Sequence, residues 1–139
     1  MKRRQRGSAL VEFALVAPLL IMLLLGIMVV GMVINAKIVV AGAAREAGRA
    51  WAIEQSDQRA RQRAADAITG GGLPTRSGGR LLFDPDRDVR FDRREEYIAV
   101  TVSYRQPTFV PLLAWLLDPH SPRDGMLTLK GQALFRVEG

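Results

Sequence analysis

The sequence contains no cysteine, which excludes disulfides, thiolate nucleophiles and cysteine-ligated metal centres together. Histidine occurs once, at His120 in an Asp-Pro-His-Ser-Pro turn, and Ser121 stands too close in sequence to act as its nucleophile without strain. No catalytic triad and no zinc set assembles from this inventory, so the reading is a protein without enzymatic activity and without a cofactor. Lysine is also scarce, three residues against seventeen arginines. A formal charge of +6 invites a nucleic-acid interpretation, because clustered cations release counterions from phosphate. Four of those charges are Lys2, Arg3, Arg4 and Arg6, however, and the rest of the chain holds 16 basic and 14 acidic side chains, interspersed. That pattern describes a solvated mixed-charge surface and gives no nucleic-acid partner.

Charge itself is missing from residues 13–36, a run of 24 residues. As a helix it is about 36 Å long, enough to cross a hydrocarbon core of about 30 Å. The run far exceeds the h-region of a cleaved secretory signal, so it reads as a retained anchor in contact with membrane lipid. Four cations precede it, while Lys37, Arg45 and Arg49 after it are mixed with Glu46 and Glu54. The positive-inside rule therefore keeps the N-terminus cytoplasmic and carries the remainder across. Pro18 removes one helix hydrogen bond within the span, which membrane helices tolerate. Gly26 and Gly31 permit close helix approach without forming a G-x-x-x-G seam.

Past the span, Val40, Ala44, Ala47 and Trp51 recur at helical spacing. One helix is expected from near Ser8 to about Ile53, and its small residues (Ala41, Gly42, Ala43, Ala44, Ala47, Gly48) suit packing of helix against helix. Ser56 and Asp57 look like the N-cap and first turn of a second helix. Ala60, Ala64, Ala67 and Ile68 give it an apolar face, and Gly70, Gly71 and Gly72 stop it. Residues 70–80 hold five glycines and one proline and read as a flexible connector. Two strands are expected at 89–92 and 97–105, joined by the charged turn Arg93, Arg94, Glu95, Glu96. Ile98, Val100, Val102 and Tyr104 alternate with smaller or polar residues in the second. A third strand spans 126–137, with Leu127, Leu129, Ala133, Phe135 and Val137 on one side and a bulge suggested near Gly131 and Leu134. The apolar stretch 109–117 is too short to span a membrane; it reads either as a buried turn of helix over the sheet or as a patch that rests on a membrane or partner. The fold class is thus α+β: a basic leader at 1–7, a transmembrane and stem helix at 8–55, and a small domain at 56–139 with a short helix and about three antiparallel strands.

Asp84, Asp86, Asp88, Asp92 and Glu95 occupy the spacing of a calcium loop, but the sixth position is Val89 where the sharp turn requires glycine. A solvated turn leading into the hairpin is the alternative reading.

The N-terminal residues carry the one specific signal. A basic leader followed by Gly7-Ser8-Ala9-Leu10-Val11-Glu12-Phe13-Ala14-Leu15-Val16-Ala17-Pro18 resembles the TadE family of pseudopilins from tight-adherence (Flp pilus) assembly systems. Ala43-Ala44-Arg45-Glu46-Ala47-Gly48-Arg49-Ala50 is similar to that family's alanine-rich segment after the span. The resemblance implies cleavage by a prepilin peptidase between Gly7 and Ser8, with loss of the leader charges. It also implies that Glu12 pairs with the N-terminus of a neighbouring subunit. Its implied partners are the prepilin peptidase, other pseudopilins or pilins and inner-membrane components of the Tad machinery. The implied location is the bacterial inner membrane, single pass, with the C-terminal domain extracytoplasmic. Phe13 departs from pilin signals that place a tyrosine after the glutamate, and this suits a minor subunit. A TadF-like sibling and an unprocessed envelope protein with a ligand- or calcium-binding domain are the alternatives.

Overall fold

The computed structural model describes residues 2–94, 96–108 and 125–136, with side chains from Ala9 onward. It divides into two units, Met1–Met32 and Val33–Gly139. Helix α1 (Lys2–Glu54) contributes to both and contains Pro18. It starts earlier than the expected Ser8. The reason is local: Lys, Arg and Gln are good helix formers, and a single glycine at position 7 costs only about 1 kcal/mol.

In the first unit the large apolar side chains from Leu10 to Val30 are mostly exposed, between 43% and 74% for fifteen of them. A helix whose large apolar side chains are mostly left uncovered by the described residues is suited to a non-aqueous surrounding. One helix of the described chain, within Ala9–Glu54, is long and apolar enough to cross a membrane.

The second unit is built on a three-stranded antiparallel sheet of order β3-β4-β5, formed by β3 (Val89–Arg93), β4 (Tyr97–Pro107) and β5 (Met126–Arg136). Period-two alternation puts Ile98, Val100, Val102 and Tyr104 on one face, each at most 1% exposed. Residues 33–54 of α1 supply Ala36, Val40, Ala43, Ala44 and Ala47 to the same core, all fully buried. Helix α2 (Asp57–Gly70) adds Ala60, Ala64 and Ile68. Its N-cap is Ser56, whose hydroxyl accepts from the Arg59 amide, and its C-terminal turn closes with the Gly71 amide donating to Ala67 O, as the capping signals indicate.

Two expectations are corrected, and a third gains detail. The small residues of the stem let the sheet come close, in a core they share with Ala60, Ala64 and Ile68 of α2. A Cβ on Gly131 would lie 2.6 Å from the Val40 carbonyl oxygen and 2.8 Å from Ala41 Cα, and one on Gly48 would lie 2.0 Å from the Phe135 ring. Gly131 therefore marks a close backbone approach. It is not a bulge, since β4 and β5 pair without interruption from Tyr97↔Arg136 to Pro107↔Met126. Residues 70–80 are not a loose connector either. β1 (Arg76–Ser77) and β2 (Arg80–Leu81) form a hairpin turning through Gly78 and Gly79, both at positive φ, the backbone a two-residue hairpin demands. Three bonds tie residues 74–82 to β4: the Tyr104 hydroxyl donates to Pro74 O at 2.9 Å, the Arg105 amide to Leu82 O at 3.1 Å, and the Arg105 side chain to Leu81 O at 3.2 Å.

Candidate functional site

Gly7, Ser8 and Glu12 all lie on α1. The Gly7–Ser8 peptide bond is therefore helical, near the helix end and at a glycine, a weak helix former, where opening costs little. The cationic residues Lys2, Arg3, Arg4 and Arg6 occupy the turns before it. Glu12 is exposed, and no ion pair or hydrogen bond joins it to a described residue. The next acidic residue along α1 is Glu46, so Glu12 is a solitary carboxylate at the mouth of the uncharged run.

The acidic series in the domain is dispersed among separate structural tasks. Asp84 caps the short helix α3 (Pro85–Asp88), accepting from the Asp86 amide at 3.0 Å. Asp86 pairs with Arg61 at 3.1 Å, and Asp92 with Arg94 at 3.5 Å. Asp88 is 8% exposed; it accepts from the Asp84 amide at 2.9 Å and from Arg105 at 3.2 Å. These carboxylates do not converge, and among the described residues no group of three or more potential ligands is placed to hold an ion. Glu95 lies outside the described residues, as do His120, Ser121 and the apolar stretch 109–117.

Trp51 has a structural role at the end of the stem. Its indole N–H donates to Asp57 Oδ1 at 2.9 Å, Arg93 pairs with the same oxygen, and the Arg93 guanidinium lies 5.6 Å from the indole ring centroid. The cluster binds α1, the first turn of α2 and the end of β3 together. Sequence spacing indicated an aromatic on the stem face and gave no sign of these partners. The Asp88–Arg105 pair was equally hidden, because the two residues lie seventeen positions apart on elements whose register only the fold supplies.

Residues 7–49 match the family described as TadE-like protein. The match opens on Gly7, includes Glu12 and the span, and ends at Arg49, within the stem that packs on the sheet. The match covers 43 of the 139 residues. No curated protein and no solved structure matches the chain.

Proposed function

We propose that the protein is a minor pseudopilin of a Tad/Flp-type pilus assembly system, matured by a prepilin peptidase between Gly7 and Ser8 and acting by assembly in the inner membrane. Residues 1–7 are the cytoplasmic leader, 8–55 the anchor and stem, and 56–139 the extracytoplasmic domain. The observation that carries this reading is the family match that begins at Gly7 and runs through a lone Glu12 into a bare apolar helix.

The physical sequence is simple. Cleavage removes Lys2, Arg3, Arg4 and Arg6 and creates an amine on Ser8 at the membrane edge. An ionised carboxylate at mid-membrane costs about 2.5–3.5 kcal/mol, and less toward the interface. Glu12 lowers that cost by accepting the Ser8 amine of a neighbouring subunit, so lateral association is favoured over the isolated helix. Intact-mass and N-terminal analysis of the chain from hosts with and without a prepilin peptidase tests this directly. The mature chain begins at Ser8 only where the peptidase is present; retention of residues 1–7 in both hosts removes the proposal.

A further inference from the structure

The outer face of the sheet holds an arrangement to which the proposed function assigns no role. We propose that Arg87, Arg90, Lys130, Thr101 and Ser103 form an oxyanion site for a phosphate-type group. The register places them: Arg90 lies opposite Thr101 across β3 and β4, and Ser103 opposite Lys130 across β4 and β5. All four project from the face opposite Val89, Val102 and Leu129, because side chains alternate along a strand. Arg87, on α3, completes the rim of a hollow of about 240 Å³ that these five residues line together with Asp88.

Charge pairing in this region is unequal. Asp88 is the hollow's one carboxylate, and it is already engaged by Arg105 and the Asp84 amide. Arg87, Arg90 and Lys130 have no ion-pair partner among the described residues. Three cations and two hydroxyls thus face a space whose one carboxylate is already engaged. Arginine forks and a lysine ammonium suit an acceptor with several oxygens, and Ser and Thr hydroxyls turn to donate to it. The hollow is smaller than the roughly 300–1,000 Å³ of pockets for drug-sized ligands, which favours a compact group such as phosphate. A larger hollow of about 620 Å³ nearby is less suited, because Asp57 and Asp86 line it and pair with two of its arginines, Arg93 and Arg61.

Free phosphate and a phospholipid headgroup share this chemistry. The test titrates inorganic phosphate into the full chain in uncharged detergent micelles at constant ionic strength, reading phosphorus NMR line width and the thermal midpoint. Saturable binding that chloride does not reproduce is expected, and Arg90→Gln with Lys130→Gln weakens it by about tenfold for each charged hydrogen bond removed. Lys130→Gln alone serves if the pair of substitutions lowers the midpoint without phosphate. The control Arg63→Gln with Arg76→Gln, which removes the same charge from exposed positions elsewhere, leaves binding intact. Equal loss in the control, or unaltered binding in the Arg90/Lys130 variant, overturns the site. Repeating the titration in nanodiscs identifies the source. Phosphate binding that weakens when phosphatidylglycerol is mixed into phosphatidylcholine points to a lipid headgroup, and equal binding in both points to free phosphate.

Discussion

Replacing Gly131 by Ala tests the packing of the stem on the sheet. The added Cβ would sit 2.6 Å from the Val40 carbonyl oxygen and 2.8 Å from Ala41 Cα, and ordinary contact begins at 3.4 Å. Both neighbours are helix backbone, which cannot swing away as a side chain can, so helix and strand must separate by about 0.8 Å. Overpacking of this kind costs about 1–3 kcal/mol. Loss of glycine's freedom in the unfolded chain offsets about 0.4–1 kcal/mol. The net destabilisation is roughly 1–2 kcal/mol, and the thermal midpoint of a domain this size falls by about 4–8 °C for each kcal/mol. Two companion substitutions give the argument its sign. Gly48→Ala meets only the edge of the Phe135 ring, which can turn aside, so its cost is smaller. At Gly42 a Cβ would meet nothing within 4 Å, so Gly42→Ala stabilises by about 0.5–1 kcal/mol through helix propensity. Thermal unfolding of the full chain in uncharged micelles, followed by near-ultraviolet circular dichroism, ranks the three. A Gly131→Ala protein as stable as Gly42→Ala would refute the close approach of β5 to α1.

Asp88→Asn leaves the Arg105 guanidinium without its anion on a half-buried site and is expected to cost roughly 1.5–3 kcal/mol; a double-mutant cycle with Arg105→Gln recovers part of that loss as coupling energy. Burial raises the Tyr104 hydroxyl above its ordinary 10.0, so the unfolded chain ionises first as pH rises. Its stabilising contribution is complete below about pH 10 and is lost as pH climbs from there through the folded value, and Tyr104→Phe removes this alkaline slope in pH-dependent unfolding while losing one hydrogen bond, about 0.5–1.5 kcal/mol. Gly7→Val is expected to block maturation, seen as an uncut intact mass. Glu12→Ala should still be cut but should co-purify less partner pseudopilin, and unchanged recovery would remove the pairing role given to Glu12.

The long apolar helix, the second helix and β4 were legible because each depends on a local pattern. An uncharged run, a Ser56 cap followed by alanines at helical spacing, and strict alternation at Ile98, Val100, Val102 and Tyr104 need no knowledge of neighbours. The errors arose where the meaning of a residue depends on what lies across from it. Alanines and glycines on the stem announce a close approach without saying whether a helix or a sheet makes it. Gly131 weakens a strand signal by itself, yet it continues the inward-facing series Leu127, Leu129, Ala133. The Gly78-Gly79 pair was a readable hairpin signal, masked by the density of glycine around it. For the candidate site, Gly7 and Glu12 stand out as candidates by pattern alone, whereas the cation cluster on the sheet needs the register of three strands.

The unbroken pairing of β4 with β5 sets how this unit bears load. Tension drawn along the stem passes at Gly131 into β5, where the helix backbone meets the strand with no flexible side chain between them. From there it reaches β4 through a ladder of eleven residue pairs. Pulled along the strand direction, such a ladder shears as a set, so its bonds share the force instead of opening one after another. The stem and sheet would then move as one stiff lever, with little slack for a pull on the helix to take up before the domain follows.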